Sequence, residues 1–91
     1  MSVGLTVLEA LLAEREKTHG RFAEVARLSQ GLKSVMASSD RWRRLSPEQK
    51  ETLEMISLKL ARILAGDPNF ADHWTDIAGY AQLSIENLGV A

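Results

Sequence analysis

Apolar residues recur at helical spacing along nearly the whole chain, in four stretches separated by short breaks. The first stretch runs from about Thr6 to Thr18 and the second from about Arg21 to Ala37. The third begins at Ser46 and reaches about Ala65, and the fourth runs from about Phe70 to Leu88. No alternation of apolar and polar residues typical of a strand persists. The pattern predicts an all-α protein, a compact antiparallel bundle of about four helices.

Capping residues mark several of the helix boundaries. Gly20 follows the first stretch and suits the left-handed conformation that often ends a helix. Ser46 is a preferred N-cap, Pro47 fits the first helical position, and Gln49 completes a capping box. Gly66 is expected to end the third helix before a tight corner.

Each stretch has one face that we expect to point into the core. On the first helix this face continues into polar residues, and on the fourth it carries Phe70 and Trp74. The predicted inward residues are Leu5, Leu8, Leu11 and Leu12; Phe22, Val25, Ser29, Leu32 and Met36; Leu53, Ile56, Leu60, Ile63 and Leu64; and Phe70, Trp74, Ile77, Ala81 and Leu88.

Length and composition limit the classes of function. The 91 residues, 45% of them hydrophobic, fit a single helical domain spanning 1–91. A net charge of −1 offers no bulk attraction to nucleic acid or to an anionic membrane. No cysteine is present for disulfides or thiolate metal sites. We expect a cytoplasmic protein without membrane or nucleic-acid partners, and a homo-oligomer, because so small a domain would need several copies to enclose a ligand.

The last turns of the first helix carry a polar continuation of its apolar stripe. Arg15 and His19 follow Leu12 at helical spacing, so we expect them to point toward one end of the bundle. Arginine offers a planar fork to phosphate oxygens, and Thr18 and Gly20 would add donors near the start of the second helix. The alternative is a helix end that emerges into water, where the dipole favours cations. Spacing alone leaves both interpretations open.

A second polar cluster lies on the third and fourth helices. Lys59 and Arg62 flank the apolar stripe of the third, while His73, Asp76 and Tyr80 share one edge of the fourth. In an antiparallel hairpin we expect Arg62 near Asp76 or the aspartate one turn before it, and Lys59 nearer Tyr80. An interhelix ion-pair ladder would explain the charges. A ligand site would also explain the histidine and the tyrosine.

Metal catalysis is an alternative use of the same helices. Asp72 and Asp76, one turn apart, would share one divalent ion in the way that all-α nucleoside triphosphate pyrophosphatases hold Mg²⁺. Those enzymes carry a dense acidic run, whereas Glu51 and Glu54 form a single pair that the helical wheel aims elsewhere. We therefore expect no metal and no cofactor unless the protein is such an enzyme.

Gly79 lies inside the fourth helix, where glycine costs about 1 kcal/mol relative to alanine. Close approach by another chain or by a ligand would explain this residue. Simple tolerance would explain it equally well.

Three blocks of the sequence stand out together: Arg15–Phe22, Lys59–Arg62 and Asp72–Ala81. They follow the patterns R-x-x-T-[YH]-G-x-F, K-x-A-R and D-x-W-x-DIAGYA. In this order they resemble a family of small helical proteins encoded by phages and prophages, described as a domain of unknown function. The resemblance covers most of the chain. It implies a phage-related origin and a function that involves nucleotides. Some proteins of this general kind are similar to the all-α pyrophosphatases, whereas others are oligomeric sponges that trap cyclic-nucleotide immune signals.

These observations give one preferred hypothesis and two alternatives. We expect a non-enzymatic protein of the bacterial cytoplasm that binds a nucleotide, sequestering a cyclic-nucleotide immune signal. The alternatives are a Mg²⁺-dependent nucleotide pyrophosphohydrolase that uses Asp72 and Asp76, and a structural or protein-interaction helical module. Whether the two polar clusters form one pocket is left open. The expected ligand-binding residues are Arg15, Thr18, His19, Gly20, Phe22, Lys59, Arg62, His73, Asp76 and Tyr80.

Overall fold

The computed structural model describes the backbone of residues 3–89 and the side chains of residues 6–89. It contains four α-helices, α1 (Val3–His19), α2 (Phe22–Ala37), α3 (Pro47–Ala65) and α4 (Ala71–Asn87), with a 3-10 turn at Trp42–Arg44 between α2 and α3. No strand occurs in the described residues. The all-α prediction is confirmed, and each helix begins and ends within about three residues of its predicted limits.

The predicted caps explain why the helices begin and end where they do. The Ser46 hydroxyl accepts a hydrogen bond from the Gln49 amide at 3.1 Å, and the Gln49 side chain accepts from the Ser46 amide at 3.0 Å. This reciprocal capping box satisfies two amides that the first turn of α3 leaves unpaired. Gly20 has φ of +82°, the left-handed conformation expected after α1.

The packed body of the molecule consists of α2, α3 and α4, with α3 in the middle. Its most buried positions are small or polar rather than large and apolar: Val25, Ser29, Ser57, Lys59, Ala61 and His73. The Ser57 hydroxyl donates to the Leu53 carbonyl at 2.8 Å, which satisfies it inside the helix. Small residues at these positions let the three helices approach closely.

The inward face of α4 differs from the predicted one by one residue. His73 is 1% exposed, whereas Trp74 is 54% exposed and donates its indole N–H to the Pro68 carbonyl at 2.8 Å. The inner face therefore follows His73, Ile77 and Tyr80, and the prediction that Trp74, Ala81 and Leu88 face inward is wrong. Of the polar edge proposed for α4 from the sequence, His73 and Tyr80 lie on its packed face, whereas Asp76 is exposed.

Several other predicted core residues are exposed as well. Phe22 is 83% exposed and Leu64 is 68% exposed, while Leu53 and Leu60 are only partly covered. The side chain of Leu5 lies outside the described residues. No helix in the described part of the chain is long and apolar enough to cross a bilayer.

Helix α1 diverges from the body instead of completing a compact bundle. Every residue from 6 to 17 is exposed, including Leu8, Leu11 and Leu12, which we predicted to face inward. The radius of gyration is 16.0 Å, compared with about 12 Å for a compact domain of this length. The long axis of the molecule measures 50 Å. This is close to the length that α1 and α3 would have if placed end to end, at a rise of about 1.5 Å per residue. The apolar stripe of α1 is therefore left without a partner among the residues that the structure describes.

Candidate functional site

The corner between α1 and α2 packs directly against the corner between α3 and α4. The carbonyl oxygen of Thr18 accepts two hydrogen bonds, from the Asp67 amide at 3.0 Å and from His73 Nε2 at 2.9 Å. A Cβ on Gly66 would collide with this carbonyl, and one on Gly20 would lie 2.7 Å from the Cβ of Ala65. Glycine is required at both corners because the two backbones touch.

Three rings cluster behind this contact. The ring centroids of His19 and His73 lie 4.8 Å apart, edge to face, and Phe70 lies 4.9 Å from His73 and 5.6 Å from His19. The Thr18 hydroxyl lies 2.7 Å from His19 Nδ1 and donates to the Arg15 carbonyl at 3.2 Å. The two histidines and Thr18 are therefore held in place by one another before any ligand is present.

A cleft of about 400 Å³ opens where α1 diverges from α2 and α3. This volume lies within the range of small-molecule sites. Its walls combine apolar side chains with charged groups, which are Leu12, Arg15, Glu16, His19, Gly20, Phe22, Val25, Leu58 and Arg62. The cleft thus has an apolar side and a cationic side.

Two arginines on the cleft wall lack a carboxylate partner. Among residues 6–89, neither Arg15 nor Arg62 makes an ion pair, and Glu16, on the same wall, pairs with neither. Burial and the nearby charge of Arg15 lower the pKa of the Arg62 guanidinium, while Asp76 and Tyr80 raise it. Two cations that face one cleft without neutralisation form a place where an anion is favoured.

His19 lies on the same wall of the cleft as the two arginines. Burial lowers the pKa of its imidazole, and the charges of Arg15, Arg62 and His73 lower it further, against a small opposing effect of the Arg15 backbone. These positive neighbours disfavour a further proton. An anion placed between these groups would relieve the repulsion.

The α3–α4 cluster is organised differently from the prediction. Lys59 is buried, and its Nζ lies 3.0 Å from Asp76 Oδ2, whereas we expected Lys59 nearer Tyr80. Arg62 lies close enough to Asp76 and Tyr80 for their charges to affect its pKa. The Lys59–Asp76 ion pair is a contact that the register prediction did not include.

The structure divides the ten predicted ligand residues into three groups. Arg15, His19, Gly20, Phe22 and Arg62 line the cleft. Thr18 and His73 belong to the corner contact, and Lys59 pairs with Asp76 across the α3–α4 hairpin. Asp76 and Tyr80 line a separate surface pocket on α4 and not the cleft.

The structure differs in two details from the predicted set of ligand-binding residues. The Gly20 amide donates to the Glu16 carbonyl at 2.9 Å, so the prediction that it is a free donor is wrong. Leu58 and Val25 line the cleft although neither was predicted to bind a ligand, and Val25 was predicted only to face the core. Leu58 lies one helical turn before Arg62, and that spacing was the available signal.

The hydrolase alternative needs Asp72 and Asp76 as metal ligands. In the described residues these carboxylates are not joined by further side chains that could ligate a metal ion. Within the described residues, no group of three or more histidine, aspartate or glutamate side chains is arranged to hold a metal ion. Asp76 is occupied by Lys59 and Asp72 is exposed. Gly79 is also exposed, and no atom of the described residues lies within 4 Å of the position of a Cβ there.

Comparison with known proteins adds a family but no activity. Neither the curated proteins nor the solved structures gave a match. The sequence model of DUF6378, a domain of unknown function, matches residues 5–87, which is most of the chain. These residues include both corners and all of the cleft-lining side chains. The chain therefore belongs to the DUF6378 family.

Proposed function

We propose that this protein binds a nucleotide ligand in the cleft between α1, α2 and α3, with the phosphate between Arg15 and Arg62. The observation that carries the proposal is the pair of cleft-lining arginines without carboxylate partners. Charge-assisted hydrogen bonds from arginine are among the strongest available to phosphate. His19 lies on the same wall and donates from both ring nitrogens once it is protonated.

The apolar side of the cleft suits the rest of a nucleotide. Leu12, Val25 and Leu58 form this wall, and the exposed ring of Phe22 stands at its mouth. An aromatic ring beside a cationic anchor favours a flat, phosphorylated ligand, because bases stack on such rings. This combination favours a nucleotide over inorganic phosphate alone.

We further propose that the ligand is held and not hydrolysed. Asp76 is engaged by the buried Lys59 at 3.0 Å, so its carboxylate serves the α3–α4 contact. The finer hypothesis, a phage or prophage protein that sequesters a cyclic-nucleotide signal in the bacterial cytoplasm, rests on the sequence resemblance of the three motif blocks. The pyrophosphohydrolase and the structural module are the competing hypotheses, and the following experiment distinguishes them.

A thermal-shift screen against nucleoside mono- and triphosphates and cyclic dinucleotides tests the proposal. A ligand present at about 100 times its Kd stabilises the folded state by about 2.7 kcal/mol. For a domain of this size, this corresponds to a rise in Tm of about 10 °C or more. Mass spectrometry of the recovered ligand should find it intact.

Three results would contradict the proposal in different ways. Mg²⁺-dependent release of pyrophosphate that Asp76→Asn abolishes would establish the hydrolase. A Tm that no nucleotide changes would favour the structural module. An equal rise in Tm with wild type and with Arg15→Ala would place the ligand elsewhere.

A further inference from the structure

An apolar ridge on α1, formed by Val7, Leu8, Leu11 and Leu12, is left uncovered by the described part of the chain. Each of these side chains is about half exposed or more. They lie on one side of the helix, at positions i, i+1, i+4 and i+5. The ridge continues through Arg15 toward the cleft. Four adjacent large apolar side chains in water mark a surface that another molecule covers.

The exposed area of the chain indicates how large this missing contact is. The chain exposes 6648 Å², whereas a compact folded monomer of its mass exposes about 5,300 Å². The excess of about 1,300 Å² exceeds the roughly 800 Å² that each partner buries in a standard protein interface. Helix α1 contributes to this excess, since residues 6–17 are all exposed. Covering the ridge would reduce it.

We infer that a second copy of this chain covers the ridge, through antiparallel packing of the two α1 helices about a two-fold axis. Every copy carries the same ridge, so one such contact covers both ridges at once. A parallel in-register pair would set Arg15 against Arg15, whereas an antiparallel pair moves the two charges to opposite ends of the seam. The repulsion between these arginines selects the antiparallel arrangement.

The ridge is continuous with the cleft, because Leu12 belongs to both. A second copy on the ridge therefore also covers one side of the cleft mouth. In so far as the proposed function holds, ligand binding and self-association favour each other, and the complete site belongs to the dimer. Self-association itself does not depend on the ligand.

Sedimentation equilibrium of the ligand-free protein tests the inference. Wild type should sediment at twice the chain mass of 10.1 kDa. Leu8→Glu and Leu11→Glu place a charge in the seam and should weaken the dimer about tenfold or more. Ala13→Glu is the matched control, since it makes the same charge change on the opposite side of α1 and should leave the dimer intact. Circular dichroism checks that each variant stays helical.

The exposed Leu64 on α3 provides a competing surface. If Leu64→Glu dissociates the protein and Leu8→Glu does not, the interface lies on α3 and the inference is wrong. A wild-type protein of 10.1 kDa at all accessible concentrations would also overturn it. Because no nucleotide is present, failure to bind one would leave this result unchanged, and the two proposals fail separately.

Discussion

His73 Nε2 donates a hydrogen bond of 2.9 Å to the carbonyl oxygen of Thr18, which lies 55 residues earlier in the chain. This bond joins the inner face of α4 to the last turn of α1, the only helix that diverges from the body among the described residues. The bond places a proton on Nε2, because a carbonyl oxygen only accepts. The buried imidazole of His73 is therefore one of the groups that fix the cleft relative to the α3–α4 hairpin, together with the Asp67 amide.

Replacing His73 tests this dependence. His73→Leu removes the donor and should lower the free energy of unfolding by about 1–3 kcal/mol, because the carbonyl loses one of its two partners. His73→Gln places an amide N–H close to the position of Nε2 and should recover part of the loss. Urea denaturation of the three proteins measures this. Equal losses in both variants would show that packing, and not the hydrogen bond, determines the role of His73.

The two corner glycines should tolerate no side chain. Gly20→Ala and Gly66→Ala should each lower the free energy of unfolding by about 2 kcal/mol or more, since the added methyl meets the opposing backbone. Gly79→Ala is the matched control, because nothing lies within 4 Å of its Cβ position. It should raise stability by about 0.5–1 kcal/mol. If Gly66→Ala behaved like Gly79→Ala in thermal denaturation, the close corner contact would be refuted.

The Lys59–Asp76 pair should stabilise the α3–α4 contact. Asp76→Asn leaves the buried ammonium without its carboxylate and should cost about 1–2 kcal/mol, a figure reduced because Asp76 is half exposed. Lys59→Met should lower the free energy of unfolding less in the Asp76→Asn background than in wild type. A double-mutant cycle measures this difference. A coupling energy indistinguishable from zero would mean that the pair contributes nothing to stability.

Stability should fall as the pH drops below the ordinary value of about 6.5 for histidine. Because burial and nearby cations lower the pKa of His19 in the folded state, the unfolded chain takes up the proton first. The stability is complete above about pH 6.5 and is lost as the pH falls through the lower folded-state pKa. Urea midpoints between about pH 7.5 and about pH 5.5 should therefore decrease.

His19→Asn provides the control for this pH dependence. Its side chain does not titrate, so the decrease in the urea midpoint should be smaller than in wild type. If the urea midpoint decreases equally with falling pH in both proteins, His19 does not contribute to the pH dependence of stability.

The sequence predicted the helices well because their ends depend on local chemistry. Ser46 and Gln49 cap α3 through their own backbone amides, and Gly20 adopts its positive φ within its own turn. No distant residue is needed for either. The sequence left open whether Arg15 and His19 share a pocket with Arg62, and the structure places all three on one cleft.

The helix faces were harder to predict because they depend on distant contacts. Hydropathy favours Trp74 over His73 for the inner face of α4, but only His73 can satisfy the Thr18 carbonyl from there. The stripe of α1 is apolar and periodic like that of any bundle helix, so Leu8 and Leu11 were predicted to be buried. A single chain's sequence does not distinguish a face that packs within the chain from one that packs against another molecule.

The central claim is that Arg15 and Arg62 hold a nucleotide phosphate. Isothermal titration calorimetry with the nucleotide that gives the largest thermal shift tests it most directly, using wild type, Arg15→Ala, Arg62→Ala and Arg44→Ala. The last is a matched control, because Arg44 is exposed in the turn before α3, at the far end of the α2–α3 hairpin. Loss of either cleft arginine should weaken binding about tenfold or more, while Arg44→Ala binds like wild type. Equal affinities for all four proteins would contradict the account.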